Sequence, residues 1–480
     1  MDKIAVYLKE KYGRWAWLGQ RAHDAEGINR VIPLDFIISC DYGEEVPLFF
    51  DETDIFSIEK KDNHRKEWSN EHLKESLYGP LGRDIAKRWK HSPAPVNIIC
   101  YRSIQRIENG SGCFGAKPRI FAVPEAMKKR FDNKVLLCRK LRGLSIPSIP
   151  CRVIQINRRD FSRLRKEFLL PFVVQFPYGS SGNGTFLIKS PEDMIALSGK
   201  YPGKTATVRS YIDGFSININ AIIVSTQKGP RTFCCYPSAQ IVGIPECGNS
   251  DTSFCGNDYG ITGTLDRKII RKVERNVRAI GKWMSAYGYK GIFGMDMVSD
   301  GEEVYVVEIN PRFQNSTSLF TTLEAINKPY DNKLVLLHIA EFLQDNDKIL
   351  AQYVMKYPFE DLMTPLNGSQ IILHNGPYDT VIKGDITPGI YRISRNGLRF
   401  VSRSASLGDC RDKEEILVTC GVPGLMKKVD ANAPLCKIQT LRTVLDPGTK
   451  RYLAEDMKKA VTAVYKNMII KKAVKEKITV

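Results

Sequence analysis

The segment Gly291–Arg312 constrains the fold of this chain most, because its acidic and amide side chains lie at strand spacing. Side chains alternate along a strand, so Glu308 and Asn310 share one face. The Asp300–Gly301 pair predicts a tight turn, and antiparallel pairing across that turn can place Asp296 on the same face. Three oxygen donors that meet at one point suit Mg²⁺, with Mn²⁺ as an alternative ion.

The alternative interpretation of this segment is a surface hairpin with solvated acids. Residues 304–309 are too apolar for a strand that is solvated on both faces, and an Asn-Pro-Arg sequence follows directly. We therefore favour the metal site over the solvated hairpin.

A second segment, Pro171–Lys189, predicts a strand, a glycine-rich loop and another strand. The loop from Gly179 to Thr185 can turn successive backbone N–H groups toward an anion, which is typical of a phosphate site. A flexible hairpin tip rich in Gly and Ser explains the composition equally well. The loop is not a P-loop, because that motif requires a Gly-Lys-Ser/Thr ending that runs into a helix.

The order of these pieces along the chain is their most informative property. Lys134 opens a short amphipathic helix that a glycine, Gly143, closes. The glycine-rich hairpin follows, then the strand Thr207–Gly214, and finally the acidic hairpin. Over roughly residues 120–330 this order resembles the ATP-grasp superfamily of ligases.

The resemblance implies a role for each matching residue. Asp296, Glu308 and Asn310 match the metal ligands, and Arg312 matches the arginine that steadies a carboxylate or acyl-phosphate group. Tyr211 and Ile212 resemble the hinge whose backbone holds adenine. The residues implied to contact the ATP phosphates are Lys134, Gln175, Gly179, Ser180, Ser181, Gly182 and Gly184.

Two departures from the family pattern concern charge. Many members carry a lysine where this chain has Gln175, and acidic hinge residues where it has Arg209, Ser210 and Ser216. A neutral amide can donate a hydrogen bond to phosphate but supplies no positive charge. If the family role is kept, Mg²⁺ or another cation must compensate.

The implied function is that of an ATP-dependent carboxylate–amine ligase. A small-molecule carboxylate, such as an amino acid or peptide, would be activated as an acyl phosphate and joined to an amine, with release of ADP and phosphate. Two alternatives stay open. One is a non-catalytic or regulatory relative that binds a polyanion, and the other is a phosphotransferase on the same fold.

The composition bounds the remaining function classes. With 480 residues and 43% hydrophobic content, the chain can form about two to four domains. The net charge of +18 would suit a nucleic-acid binder, yet basic and aromatic residues interleave only weakly, in residues 60–68. We therefore predict no nucleic-acid partner and interpret the charge as a solvated surface that attracts anionic substrates.

The cellular location of the protein and the pairing of its cysteines are predicted from sequence patterns that the chain lacks. No run approaches 18 apolar residues, and the N-terminus lacks the pattern of a secretory signal, so no membrane span and a cytoplasmic location are predicted. The 12 cysteines show no C-x-x-C pair, which disfavours disulfide or zinc frameworks. A homo-oligomer stays an open alternative, since no feature of the sequence specifies the oligomeric state.

The predicted fold class is α/β, with α+β lobes: an ATP-grasp fold with an α/β N-terminal domain and a small β-rich C-terminal domain. The predicted boundaries are residues 1–120 for the first domain, 121–345 for the nucleotide-binding lobes and 346–480 for the β-rich domain, which ends in a basic helix. Strands are predicted at 3–8, 31–39 and 96–101, and helices at 192–198, 266–287 and 330–343. Residues 239–262 are predicted to form a long polar loop.

Overall fold

The computed structural model describes residues 3–91, 94–108, 113–179, 182, 184–248, 252–327, 334–384, 386–394, 397–468 and 470–472. Helices and strands alternate in the first part of the chain, and antiparallel strands dominate the rest. This mixed architecture agrees with the predicted α/β class. Among the described residues, no helix combines the length and the apolar character needed to cross a bilayer.

The N-terminal part contains a five-stranded parallel sheet in the order β3-β2-β1-β5-β6. Its central strand β1 is buried along its whole length, as expected for a parallel sheet covered by helices on both faces. The strands of this part are β1 (Trp15–Gly19), β2 (Phe36–Ser39), β3 (Ile55–Ser57), β4 (His64–Arg65), β5 (Asn97–Cys100) and β6 (Arg119–Phe121). The helices are α1 (Lys3–Tyr12), α2 (Ala25–Val31), α3 (Ile58–Asp62), α4 (Asn70–Tyr78), α5 (Pro80–Trp89), α6 (Gln105–Glu108), α7 (Glu125–Phe131) and α8 (Lys134–Leu141).

The predicted strand at residues 3–8 is wrong, because this segment is the first part of α1. Ala5 and Leu8 are three residues apart and both fully buried, which is the spacing of one helix face. The apolar residues of this short segment fit both the repeat of a strand and the repeat of a helix. Packing against the core selected the helix. The strands predicted at 31–39 and 96–101 are confirmed in shorter form as β2 and β5.

A small lobe of residues 151–210 follows, with a four-stranded antiparallel sheet in the order β7-β10-β8-β9. Its strands are β7 (Cys151–Gln155), β8 (Phe172–Gln175), β9 (Thr185–Ile188) and β10 (Thr205–Ser210). Its helices are α9 (Phe161–Phe168) and α10 (Pro191–Lys200), and α10 confirms the helix predicted at 192–198. The glycine-rich segment joins β8 to β9, so the predicted hairpin is present.

A disulfide between Cys138 and Cys151 joins α8 to the first strand of the small lobe. The prediction that disulfides are disfavoured is therefore wrong for this pair. The two cysteines lie 13 positions apart in the sequence, and this spacing matches no recognised motif, so only the folded geometry brings them together. Among the described residues this is the one disulfide, and the other ten cysteines are buried.

The rest of the chain is built on an 11-stranded antiparallel sheet. Three short strands, Thr380–Ile382, Lys428–Val429 and Ile470–Lys472, instead join β4 in a separate four-stranded sheet. Strand β11 lies near one end and pairs with β15 over nine residues, from Phe215 opposite Ser299 to Ile223 opposite Gly291. The strands of this part are β11 (Phe215–Thr226), β12 (Gly229–Cys234), β13 (Ser238–Val242), β14 (Phe254–Asp258), β15 (Gly291–Ser299), β16 (Val304–Asn310), β17 (Ser369–His374), β18 (Thr380–Ile382), β19 (Gly389–Ser394), β20 (Gly397–Arg403), β21 (Glu415–Thr419), β22 (Lys428–Val429), β23 (Pro434–Thr440) and β24 (Ile470–Lys472). The helices are α11 (Arg267–Ser285), α12 (Asn315–Asn327), α13 (Leu334–Leu343), α14 (Lys348–Lys356) and α15 (Glu455–Met468).

Most predictions for this part hold, and two need correction. Helices α11 and α13 confirm the helices predicted at 266–287 and 330–343, although residues 330–333 lie outside the described residues. The short strands between residues 369 and 419 agree with the predicted β-rich C-terminal domain. The polar loop predicted at 239–262 instead contains most of β13 and all of β14, which pair with each other inside the large sheet. The predicted basic helix ends at Met468, and residues 470–472 form a strand beside β18. The domain boundary at residue 346 stays a prediction, although strand β14 pairs with β17 across it.

A buried ionic network ties the N-terminal part to the C-terminal strands. Arg65 is 2% exposed; its guanidinium donates to Glu59 at 2.7 and 3.0 Å and to the Leu435 carbonyl at 2.6 Å. Lys427 also donates to Glu59, at 2.6 Å. Removing one member of a buried ion pair costs about 3–5 kcal/mol, because the partner charge stays in a medium of low polarity.

We expect Arg65→Met to lower the free energy of unfolding by that amount and to reduce the melting temperature markedly. Differential scanning fluorimetry of the variant measures the change. The matched control is Arg163→Met, because Arg163 is 56% exposed and its ion pair with Asp160 lies at the surface. Equal melting temperatures for the two variants would contradict a stabilising role for the network.

Candidate active site

A cavity of about 1270 Å³ lies where the parts of the chain meet. Arg21 and Arg102 line it from the N-terminal part, and Gln175 from the small lobe. Asp296 lines it from the large sheet, and Arg451 from the C-terminal segment. A cavity of this volume can hold a nucleotide and a second small molecule together.

The hairpin of β15 and β16 places the three predicted metal ligands in this cavity. Asp296 lies directly opposite Glu308 in the antiparallel register, and a bulge follows Asp296. Asn310 donates its side-chain N–H to Asp296 at 3.3 Å, and Asn218 on β11 donates to the other Asp296 oxygen at 2.6 Å. The structure thus brings Asp296, Glu308 and Asn310 together, as the alternation along the strands predicted.

Burial sets the electrostatics of the two carboxylates. Burial raises the pKa of Asp296 above its ordinary range. It raises the pKa of Glu308 as well, and the neighbouring charge of Asp296 adds to that effect while Lys134 opposes it. Two partly desolvated carboxylates side by side favour a cation between them.

The donor set fits a hard divalent cation such as Mg²⁺, which takes one or two carboxylates from the protein. Asp296 and Glu308 would supply carboxylate oxygens. Asn310 would supply its amide oxygen after its side chain turns over, because that oxygen accepts a hydrogen bond from Arg312 while the amide N–H faces Asp296. In the part of the chain that the structure describes, no cluster of three or more His, Cys, Asp and Glu side chains is arranged as a metal site.

Lys134 links the acidic hairpin to the glycine-rich loop. It is the first residue of α8, whose N-terminus is capped by the Asn133 side chain. The Lys134 ammonium lies 3.1 Å from a Glu308 oxygen and donates to the Gly179 carbonyl at 3.1 Å. The helix therefore holds a positive charge at the boundary between the predicted metal and phosphate sites.

The described part of the glycine-rich loop reaches across the cavity. Gly182 has a φ of +86°, and a Cβ there would overlap the Thr252 carbonyl oxygen. Gly184 has a φ of +82°, and a Cβ there would lie 3.0 Å from the Phe176 ring. Both positions thus require glycine for conformation and for space. Ser180 and Ser181 lie outside the described residues.

Gln175 and Arg209 line the cavity on one face of the small lobe. Gln175 pairs with Thr207 and Val173 pairs with Arg209, so the two side chains are diagonal neighbours. The Arg209 guanidinium donates to the Val307 carbonyl at 2.8 Å. Burial lowers the pKa of Arg209 to about 10, so the group is still charged at neutral pH.

The hinge residues Tyr211 and Ile212 line the cavity directly after β10. Arg451, from the C-terminal segment, donates to the Tyr211 hydroxyl at 3.2 Å and to Asp213 at 2.8 Å. The C-terminal segment therefore covers the hinge side of the cavity. The resemblance implied that the β-rich C-terminal domain walls the active site, although the sequence did not single out Arg451 for that role.

Arg312 is held beside the predicted metal ligands by several hydrogen bonds. Its guanidinium donates to the Asn310 side-chain oxygen at 2.8 Å and to the Phe313 carbonyl at 2.9 Å. A third hydrogen bond, of 3.3 Å, reaches the Tyr101 hydroxyl in the N-terminal part. Arg312 thus joins the acidic hairpin to the N-terminal wall of the cavity.

A buried amide network beneath the carboxylates was missed by the sequence analysis. Gln314 donates to Asn218 at 3.2 Å and to Asn220 at 3.1 Å, and Asn218 in turn contacts Asp296. Gly294 makes room for this network, because a Cβ there would overlap the Gln314 side chain. The alternation of Asn218 and Asn220 within the otherwise apolar β11 was the available signal.

A family model described as an ATP-grasp domain matches residues 131–316. The chain is 22% identical over 183 residues to the carbamoyl phosphate synthase arginine-specific large chain of Halalkalibacterium halodurans, covering 38% of this chain and 16% of that protein. It is 28% identical over 186 residues to the formate-dependent phosphoribosylglycinamide formyltransferase of Pseudomonas fluorescens, covering 38% and 43%. The chain thus spans less than half the length of these curated relatives.

Two solved structures share the fold over most of this chain. The biotin carboxylase domain of the Hydrogenobacter thermophilus 2-oxoglutarate carboxylase superposes with a TM-score of 0.54 at 12% identity, covering 90% of this chain and 86% of that one. The N5-carboxyaminoimidazole synthase of Aspergillus clavatus gives a TM-score of 0.51 at 12% identity, covering 91% and 96%. At this identity the likeness shows the ATP-grasp fold alone.

Proposed function

Because residues 131–316 form an ATP-grasp domain, we propose that this protein is an ATP-dependent ligase that joins a carboxylate substrate to an amine. The observation that carries the proposal is the meeting of Asp296, Glu308, Asn310 and Arg312 in one cavity, with the Lys134 ammonium 3.1 Å from Glu308. The formate-dependent relatives use a carboxylate, as their name states, and that agrees with the proposed substrate class.

In the first proposed step, a carboxylate oxygen of the substrate attacks the γ-phosphorus of ATP and ADP leaves. Asp296, Glu308 and Asn310 would hold Mg²⁺, which neutralises phosphate charge when bound. Lys134 and Arg312 orient the phosphate and the substrate carboxylate by charge-assisted hydrogen bonds. Gly182 of the glycine-rich loop, which lies close to the Thr252 carbonyl, would help to keep water away from the acyl phosphate.

In the second proposed step, an amine attacks the acyl carbon and phosphate leaves, so the C–O bond breaks as the C–N bond forms. One proton leaves the amine nitrogen and ends on the departing phosphate. Arg312 is placed to offset the negative charge on the acyl-phosphate group, because its guanidinium is fixed by Asn310 and Tyr101. The products are an amide or peptide bond, ADP and phosphate.

Product analysis tests the proposed reaction directly. The purified protein is incubated with Mg·ATP and pools of amino acids, and ADP, free phosphate and new amides are measured by mass spectrometry. The ligase proposal requires all three products in equal amounts. A phosphorylated product without amide would indicate a phosphotransferase, and no ADP above background with any pool would indicate a binding protein.

We further propose that the Arg209 guanidinium supplies, beside the ATP phosphates, the positive charge that the neutral Gln175 side chain lacks. The two side chains are diagonal neighbours on one sheet face, and the Arg209 Nε is buried without a hydrogen-bond partner among the described residues. A charged hydrogen bond to ATP is worth about 1.5–3 kcal/mol, which corresponds to a factor of about 10 to 100 in affinity.

Arg209→Met is therefore expected to raise the KM for ATP at least about tenfold, and adding Gln175→Lys is expected to restore much of that loss. Steady-state kinetics with varied ATP measure both effects. The matched control is Arg152→Met, because Arg152 lies in the same lobe but at the surface, paired with Glu167. A Gln175→Lys change that rescues nothing would contradict the shared role.

A further inference from the structure

A second cavity, of about 370 Å³, adjoins the large one on the side of the N-terminal part. Arg102 and Arg312 line both cavities, so the two spaces share a wall. Lys128 on α7 and Gly179 at the start of the glycine-rich loop line the smaller cavity as well. The smaller cavity therefore lies beside the proposed phosphate site, on the side formed by the N-terminal part of the chain.

The two arginines of this cavity both lie close to one aromatic residue. The Arg102 guanidinium lies 5.7 Å from the centre of the Tyr101 ring, and the Arg312 guanidinium lies 5.4 Å from it. The Nε atoms of both arginines are buried and have no hydrogen-bond partner among the described residues. Each guanidinium thus keeps one N–H donor that no described residue satisfies, beside the cavity that the two arginines line.

Positive charge exceeds negative charge in this smaller cavity. Burial, followed by the charge of Arg312, lowers the pKa of Arg102 to about 10. Burial also lowers the pKa of Lys128, and the charges of Arg102 and Arg312 lower it further. Among the described residues that line the smaller cavity, the acidic one is Asp132, which lies 3.3 Å from Lys128. Like charges that are partly removed from water repel each other, and a bound anion relieves that repulsion.

We propose that this smaller cavity binds a second anionic group of the substrate, a phosphate or a carboxylate. Since Arg312 already belongs to the acyl-phosphate site, the two arginines would bridge the activated carboxylate and the second oxyanion. This inference rests on the proposed ligase function and narrows it. The substrate carries at least two anionic groups, and Arg102 selects for the second one.

Calorimetric titration tests this assignment without knowledge of the substrate. Orthophosphate and malonate are titrated separately into protein saturated with Mg²⁺ and a non-hydrolysable ATP analogue, so that the nucleotide phosphate positions are filled. At least one probe is expected to bind, and the tighter one identifies the preferred oxyanion. Arg102→Gln is expected to weaken that binding at least about tenfold, because one charged contact is lost.

Two further variants make the titration decisive. Arg102→Lys keeps a charge but not the planar donor pattern, and intermediate binding is expected. Arg83→Gln is the matched control, since Arg83 is exposed on α5 in the same part of the chain, and its binding is expected to equal that of the wild type.

Each outcome then either supports or overturns the assignment. Failure of both probes to bind, or equal binding by Arg102→Gln and wild type, would overturn it. A protein that does not bind the ATP analogue would overturn the proposed function instead. The same titrations on nucleotide-free protein would then still decide whether the cavity takes an oxyanion.

Discussion

Glu308→Gln is expected to abolish ATP turnover, with kcat reduced by about three orders of magnitude or more. The substitution keeps the shape of the side chain but removes one of the two carboxylates that face the proposed cation. The several kcal/mol of charge stabilisation that a bound divalent cation contributes would be largely lost, and each 1.36 kcal/mol is a factor of about ten in rate. A coupled assay of ADP release measures the effect.

The fold is expected to survive this substitution. Burial raises the pKa of Glu308 and its carboxylate repels that of Asp296, so a neutral amide removes an unfavourable charge. The Lys134 ammonium loses its ion pair, which offsets part of that gain. The melting temperature should therefore stay close to that of the wild type.

The matched control for this variant is Glu303→Gln. Glu303 directly precedes β16 in the same hairpin. Its side chain lies at the surface and pairs with Lys272 and Arg275. It is expected to leave kcat unchanged. Normal turnover by Glu308→Gln would show that the acidic hairpin is not the reaction site.

Gly182→Ala is expected to reduce kcat/KM for ATP by about a hundredfold, because a displacement of about 1 Å at a reacting group can cost that much. Its φ of +86° is unfavourable for alanine, and the added Cβ would overlap the Thr252 carbonyl. The loop must then lift from the far wall of the cavity. Water would gain access to the acyl phosphate, so ATP hydrolysis without amide formation should rise relative to ligation.

Gly203→Ala separates the steric effect from backbone strain. Gly203 lies in the same lobe with a φ of +70°, and no heavy atom would lie within 4 Å of an added Cβ. This control should lose some stability but keep its activity. If both alanine variants lose activity equally, strain in the lobe rather than contact with Thr252 controls the reaction.

Local patterns along the chain predicted much of the proposed site. The alternation of Glu308 and Asn310 on one strand, and the Asp300–Gly301 turn, predicted that antiparallel pairing can place Asp296 on their face. The structure sets Asp296 opposite Glu308. The helix that Lys134 opens was readable from its apolar spacing. These features depend on side-chain alternation, turn chemistry and helix period, which a short stretch of sequence encodes.

Short segments with ambiguous periods were predicted less well. The chain's first helix was predicted as a strand, and two strands between residues 238 and 258 were predicted as a loop. In both cases, packing against distant parts of the protein decided between conformations that the local sequence allows. A segment of ten or fewer residues contains too few repeats of a hydrophobic pattern to distinguish a helix from a strand by itself.

The sequence by itself determined the acidic hairpin, the glycine-rich loop and their order, because each depends on neighbours within about 20 residues. Tertiary structure alone decided which distant side chains complete the cavity, namely Arg102, Arg451 and the amides Asn218 and Gln314. It also joined Cys138 to Cys151. Such contacts depend on how separate elements pack in three dimensions, and residue order along one chain does not encode that packing in any local pattern.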